Sequence, residues 1–501
     1  MKKHILVALL TALTFASPLL AQPLANAPVT EDELRGHIAV LASDEYGGRF
    51  PGTAGETLSA HYIARAWAAA GFVGGADAGG SWYQPVPLVD LQMGTSDARF
   101  IDGAGRAITT ITAADILLRA PSGSAHIVGA PMIFVGYGVE SNGQVIVDVA
   151  GKVALMLASD RPGDNALSAA LRREALIAKG AVATITIAAE GPPFAGLRRS
   201  YTHARMQLAG RVSRAQIEGV MAYHAASVLM QADGADLAEG VRRAADADFT
   251  GIDLSGKAML HATTMRRDFN SYNVIARLPG ARVNSGTVLV TGHWDHLGTC
   301  RGEDAADRIC NGAVDNASGI AVMIAAAQRI AAAPPLDRDV VLVGTTAEEQ
   351  GLLGAYHFAS NPTTPLPSIV IALNIDTVAV APRGAAMAIV GRGTTRLSAE
   401  VDAVARALGR TIDTDNDAET FVRRQDGWAL SQSGVPAIMA GGGFTDAAYL
   451  QAFISGNYHK PGDEMTDAVQ LGGAADDADL HVALIRHFAS VRAHPPTRDQ
   501  D

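Results

Sequence analysis

Seven residues in the second half of the chain carry side chains suited to binding divalent cations or moving protons: His293, Asp295, Asp315, Glu348, Glu349, Asp376 and His459. Their positions follow a pattern. His293-Trp294-Asp295 comes just after the apolar run Thr287 to Thr291, Glu348-Glu349 after Val340 to Gly344, and Asp376 after Ile369 to Leu373. Asp315 lies in the loop from Gly312 to Gly319, which opens a helix, and His459 lies in the loop from Tyr458 to Asp463. In open α/β sheets, sites collect at the carboxyl ends of strands, so three of these groups are expected at one edge. Each motif alone is unspecific. His-x-Asp recurs by chance, a Glu-Glu pair is usually a solvated helix start, and an Asp after a strand is usually a turn residue. Five ligand candidates in this order, three of them at strand ends, read together as a metal site.

Charge supports a pair of metals. Asp315, Glu349 and Asp376 bring three negative charges, while His293 and His459 are neutral ligands. Two divalent cations and one hydroxide balance them, whereas three clustered carboxylates without cations repel one another. Oxygen and imidazole donors suit zinc, and cobalt or manganese fit the same set. If strand geometry continues through Glu348 and Glu349, their side chains point in opposite directions. One can then ligate while the other acts as general base. Asp295, two residues from His293, is positioned to accept the second N–H of that imidazole and fix its tautomer.

The elements that must hold these groups follow from the same region. From about Leu254 the pattern repeats as strand, loop, helix. Strands read at Val274 to Ala276, Thr287 to Thr291, Val340 to Gly344, Ile369 to Leu373, Met387 to Val390 and Ala437 to Met439. Helices read at Gly319 to Ala332, Leu352 to Ala359, Leu397 to Leu408 and Ala478 to Val491. Apolar strands alternating with helices predict an α/β fold, a mixed, mostly parallel sheet sandwiched by helices. Upstream, Thr30 with Glu33 forms a capping-box pattern, a helix reads from Gly55 to Ala70, and a strand from Val86 to Val89. Residues 118–250 differ in character. Short β-type runs (Ile133 to Val135, Val145 to Val147, Val153 to Leu157, Ala183 to Ala188) mix with helices at Ala166 to Ala178 and Arg214 to Met230, and no ligand cluster is evident. The expected organisation is a discontinuous domain of residues 28–117 and 254–495, interrupted by a smaller β-rich α/β insert at 118–250.

Bulk properties narrow the class. At 501 residues, with roughly 150 per domain, two to three units are expected. A net charge of -11 argues against a nucleic-acid partner. Residues 1–21 read as a signal peptide: a basic Met1-Lys2-Lys3-His4, an apolar run from Ile5 to Leu20, then small residues. The run is shorter than the roughly 20 residues a membrane span needs, so a periplasmic or secreted chain with no stable span after cleavage is expected. Cys300 and Cys310 are the only cysteines, and in an oxidising compartment a pair this close is expected to form a disulfide.

Several segments carry a family resemblance: Gly292-His293-Trp294-Asp295-His296-Leu297-Gly298, Asp315-Asn316-Ala317-Ser318-Gly319, Ala347-Glu348-Glu349-Gln350-Gly351-Leu352-Leu353-Gly354, Asn374-Ile375-Asp376 and Tyr458-His459-Lys460-Pro461. Together they resemble metallopeptidase family twenty-eight, the zinc aminopeptidases. The resemblance implies a zinc-peptidase fold and a peptide substrate with a free N-terminus. It makes Asp315 the bridge between two zincs, with His293 and Asp376 completing one site and Glu349 and His459 the other. It assigns Glu348 as general acid/base, gives Tyr458 a part in holding the tetrahedral intermediate, and makes the Asp315-Asn316 bond cis. The insert, with Phe134-Val135-Gly136-Tyr137-Gly138 and Gly151-Lys152-Val153, is similar to a protease-associated domain. One stretch departs. Where relatives often carry Ser-Asp-His, this chain reads Arg424-Gln425-Asp426-Gly427-Trp428, which alters the substrate pocket. Arg423 and Arg424 keep open a carboxypeptidase or dipeptidase on the same scaffold. A non-catalytic, receptor-like member would show lost ligands, and none is lost here.

Overall fold

A computed structural model describes residues 21–139, 144–145, 147–159, 169–191, 194, 198, 201–202, 205–246, 248–415, 417–445 and 447–496. The signal-peptide reading falls almost wholly outside them. The chain divides into two compact units, one containing the chain up to Val86 and from Asn270 on, the other Pro87–Phe269. The second unit is wider at both ends than the predicted insert. Strands Tyr83–Ile101 and Ile252–Leu278 are long and unbroken, so the division falls inside them and not at a change in composition.

In the first unit the strand order is Ala388–Val390, Ala437–Gly441, Ile369–Asn374, Thr287–His293, Asp339–Thr345 and the last part of Ile252–Leu278. The middle four run parallel and the two outer ones antiparallel. Thr287–His293 is buried at every residue, as a central strand covered on both faces must be. Alternation sorts its side chains. Val288 and Val290 join the core beneath helices Glu31–Leu41, Ala54–Ala70, Ser318–Ala331 and Leu471–Ala489, while Leu289 faces Phe358 and Leu430 on the other side. Each such Val or Leu contributes roughly 1.5–3 kcal/mol by leaving water. A charged residue at Val290 would break the larger core.

Local signals match the chemistry that causes them. The Thr30 hydroxyl accepts from Glu33 N–H at 3.3 Å, starting helix Glu31–Leu41. Helix Leu471–Ala489 begins seven residues before the predicted Ala478, through Gly472-Gly473. A Cβ on Gly473 would lie 2.2 Å from the Ala381 carbonyl oxygen, so close approach, not helix propensity, selects glycine there.

In the second unit, Ser124–Gly136, Val153–Leu157, Ala183–Ile187 and Ile217–Met221 pair in that order, all parallel, with Ile116–Arg119 antiparallel beyond. The helix predicted over Arg214 to Met230 is corrected. Ile217–Met221 is a fully buried strand with a partner on each side, and the helix is Tyr223–Ala232. Two-sided pairing overrides the local periodicity. The strand predicted at Val145 to Val147 is absent at Val145 and Val147, and residue 146 lies outside the described residues. The helix predicted from Ala166 is present at Ala169–Ala178, and its first three residues also lie outside them.

Candidate metal centre

Parallel register brings the strand ends together. His293 aligns with Thr345, and Thr291 with Asn374, so the chain beyond each strand emerges at one edge. His293 ends its own strand. Asp376 lies two residues past Asn374, and Glu348 and Glu349 three and four past Thr345. Glu348 and Glu349 therefore do not extend a strand as predicted. They sit in a turn after Ala347, whose φ is +53°. Their separation in space comes from that turn.

Two donor groups share Asp315. His293 Nε2 lies 3.3 Å from Asp315 Oδ1 and 3.4 Å from Asp376 Oδ1. His459 Nε2 lies 3.3 Å from Asp315 Oδ2 and 3.0 Å from Glu349 Oε2. Two donors each about 2.0–2.1 Å from a tetrahedral zinc should be about 3.3 Å apart. Both groups have that spacing. His293 Nε2, His459 Nε2 and Glu349 Oε1 are buried with no hydrogen-bond partner. Orphaned buried polar atoms that converge at ligand spacing fit two divalent cations.

Electrostatics points the same way. Burial alone would lower His293, but the Glu348 and Asp376 carboxylates and the contacts with Asp315 and Asp376 outweigh it and push it well above its ordinary value. For His459, burial is likewise outweighed by Asp315 and Glu349, and the imidazole is pushed up to about 10. A buried pocket that draws protons onto imidazoles is one that favours cations. Glu348 is raised well above the carboxylate range, first by burial and then by Glu349, Asp376 and Asp426, against the pull of His293.

A surrounding layer sets these groups, and little of it was legible in the sequence. The Asp315-Asn316 peptide is cis. The Asn316 amide donates to the carbonyls of His293 and Ile375, and its oxygen accepts from Gly319 N–H and Thr377 N–H, tying three ligand loops. The Asp463 carboxylate accepts from Val314 N–H at 2.9 Å and Asp315 N–H at 3.1 Å, joining the His459 loop to the Asp315 loop. Arg49 is 1% exposed and donates to the carbonyls of Trp294, Leu41, Asn311 and Gly312 at 2.6–2.8 Å. Asp295 does something different from the expectation. Its backbone carbonyl meets His293 Nδ1 at 3.1 Å, while its carboxylate lies 3.9 Å from that nitrogen and instead accepts Glu348 N–H at 3.0 Å. Ala347, Leu352, Thr377, His459 and Arg49, all in or beside the cluster, are non-glycine residues with φ near +50° to +60°. Such backbone persists where its surroundings over-determine it.

Residues 273–484 match the sequence profile of Peptidase family M28, a span that contains every ligand candidate. By that match this segment is similar to M28 peptidases. No curated protein matches the chain. Among solved structures, an aminopeptidase from Aneurinibacillus sp. strain AM-1 is similar over 95% of this chain and 98% of its own, with 16% identity and a TM-score of 0.54. A zinc aminopeptidase from Bacillus subtilis is similar over 95% and 99%, with 18% identity and a TM-score of 0.47. A peptidase M28 precursor from Shewanella amazonensis is similar over 96% and 98%, with 18% identity and a TM-score of 0.45. The first of these shares the fold.

A cavity of about 290 Å³ opens on this centre. Asp315, Glu348, Glu349, Asp376 and His459 line its floor, and Leu352, Phe421, Met439, Phe444, Leu450, Phe453 and Ile454 its walls, together with Arg423, Arg424 and Tyr458. Arg424 donates to the Tyr458 hydroxyl at 3.0 Å. Tyr458 stacks on His459 with ring centroids 3.7 Å apart. The apolar wall was not read from the sequence, because its members come from four separate segments. Cys300 and Cys310 are bonded, with Cα atoms 5.8 Å apart, on the loop between His293 and Asp315. No helix of the described residues is long and apolar enough to cross a membrane.

Proposed function

We propose that this chain is an exported two-zinc aminopeptidase that removes residues from the free N-terminus of peptides. The observation that carries the reading is the two-faced use of Asp315, one oxygen toward His293 and Asp376 and the other toward His459 and Glu349. Zinc bound by these five residues would act as a Lewis acid on the scissile carbonyl and lower the pKa of the attacking water. Cobalt or manganese could replace it.

Glu348 lines the same cavity but makes none of the ligand-spaced contacts. Its carboxylate takes a proton from water as the water oxygen adds to the carbonyl carbon. It returns that proton to the leaving amine nitrogen as the C–N bond breaks. A buried carboxylate with a raised pKa suits both steps. Arg424 can only donate, so the Tyr458 oxygen accepts from it and the phenolic hydrogen stays free for the substrate's oxyanion. Asp295 acts by holding the Glu348 backbone. The acidic floor suits a substrate ammonium, and the apolar walls suit the side chain beside it.

A second reading, a carboxypeptidase or dipeptidase, draws on Arg423 and Arg424 at the cavity. Arg423 lies over Trp428, and Arg424 over Phe421 and Tyr458, so both also have aromatic partners. A receptor-like reading is disfavoured by the complete ligand set. The insert expected at residues 118–250 is read as a protease-associated type of domain. A peptide panel with free and blocked termini, run beside metal analysis, tests the proposal. Cleavage that requires a free N-terminus and is lost on chelation is expected. Cleavage of N-blocked peptides, with a requirement for a free C-terminus, would transfer the reading to the carboxypeptidase.

A further inference from the structure

A second cavity, of about 410 Å³, lies in the first unit at the other end of its sheet. Arg338 stands just before strand Asp339–Thr345, Ile369 opens Ile369–Asn374, and Pro436 precedes Ala437–Gly441. The cavity therefore sits at the amino ends of the parallel strands, and the metal centre at their carboxyl ends. Leu366, Ile369, Val370, Leu397 and Pro436 make its wall apolar. Arg338, the exposed Arg396 and His494 supply its polar groups.

Arg338 is 1% exposed, and its guanidinium is only partly satisfied. Nε donates to the Ser285 carbonyl at 2.7 Å, and Nη1 to the carbonyls of Phe488 and Ser490 at 2.7 and 3.4 Å. Nη2 is buried with no hydrogen-bond partner. The fold makes room for this group. A Cβ on Gly286, where φ is +105°, would lie 2.9 Å from Val370 Cγ1 and 3.2 Å from Arg338 Nε. Buried polar groups are normally satisfied, so an orphaned guanidinium edge beside a cavity marks a place for an acceptor. Nearby charge narrows the choice. Asp337 and Glu400 favour the charged form of Arg338, against the burial that lowers it. A dianion would be repelled by both carboxylates, whereas a monoanion needs only the unused N–H groups. The apolar wall suits a hydrocarbon body behind that anion.

We propose that this cavity binds a small monocarboxylate with an apolar body. Its carboxylate accepts from Arg338 Nη2, and its hydrocarbon packs against Leu366, Val370 and Leu397. Such a site does not depend on the metals at the other edge.

Full-length protein with its metals in place is titrated calorimetrically with 3-phenylpropionate and, separately, with 3-phenylpropionamide, which keeps the body and removes the charge. The acid should bind at least ~10-fold more tightly, the advantage expected of a hydrogen bond between charged groups. Arg338→Met should bring the acid down to the level of the amide. Arg338 also ties down backbone, so two further measurements avoid altering it. Leu366→Trp fills the cavity from a half-buried position and should abolish binding of both compounds while zinc content stays unchanged. In the unaltered chain, 3-phenylpropionate should slow hydrogen exchange in peptides covering residues 366–371 and not in those around His459. No binding, equal binding of acid and amide, or acid binding that survives Leu366→Trp would overturn the proposal. So would protection around His459 alone, which would put the carboxylate on the metal centre.

Discussion

Both units place buried parallel strands side by side, and both must do something with the carboxyl ends of those strands. In the first unit the strand ends carry His293 or are followed by Glu348-Glu349 and Asp376, and the surrounding layer holds acids and imidazoles together. In the Pro87–Phe269 unit the strands end at Leu157, Ile187 and Met221. There the buried guanidinium of Arg172 donates to the carbonyls of Tyr137, Leu157, Ala158 and Ser159 at 3.0–3.2 Å. Among the described residues no metal-competent group falls in that unit. The same architecture at a strand edge can thus store charge for chemistry or neutralise backbone for stability. The side chains after each strand decide which.

The comparison breaks most completely at Asp315. Asp315→Ala removes the one residue both donor groups share, so both ions and all activity above background should be lost together. A variant that kept one ion at full affinity would show that the halves are independent. Next in size is Glu348→Gln. Zinc content should stay near two per chain while kcat falls by at least ~10². Loss of metal with unchanged turnover per bound ion would reverse the roles of Glu348 and Glu349.

How much of this could be read from the sequence depends on how each residue acts. His293, Asp315 and Asp376 stand next to strong local patterns, an apolar strand or a helix-opening glycine loop, so their meeting at one edge was legible. The reasoning about Glu348 and Glu349 used strand geometry that a left-handed Ala347 ends. Arg49 was unreadable, because it bonds to backbone carbonyls 245 to 263 residues away, and a carbonyl leaves no trace in side-chain spacing. Asp463 works in the same way, through amides about 150 residues distant. His296 stood inside a quoted motif without a role, yet it is buried with Nδ1 2.6 Å from Glu349 Oε1. The Ile217–Met221 strand was missed because its two partners, not its own residues, make it a strand.

Arg172 sharpens the other side of the comparison. Arg172→Met leaves several strand-end carbonyls without a donor, each worth about 1–3 kcal/mol when buried. A loss of roughly 3–4 kcal/mol is expected, seen as faster hydrogen exchange in peptides covering Val153–Leu157 and Ala183–Ile187. Zinc content should not change. If zinc were lost as well, the contrast between a structural edge and a chemical one would fail.

The smallest effect is expected at the disulfide. Cys300 and Cys310 close a loop of about ten residues, for which chain entropy gives roughly 2–3 kcal/mol. The loop lies between His293 and Asp315, so its loss could be expected to scatter the ligands. Two other restraints argue against that. The hairpin is already paired, Gly298 with Cys310 and Thr299 with Ile309, and Cys300 N–H donates to Arg308 at 2.9 Å. Arg49 then fixes the carbonyls of Asn311 and Gly312, just beyond the bond and just before Asp315. A Cys300→Ser, Cys310→Ser double variant should therefore lose about 2–3 kcal/mol in denaturant unfolding yet keep both zinc ions at neutral pH. Adding Arg49→Met to it should release zinc, because three carbonyls beside the ligand loops lose their shared donor. If the double variant alone released zinc, the covalent bond and not the buried guanidinium would be what holds the Asp315 loop against its strand edge.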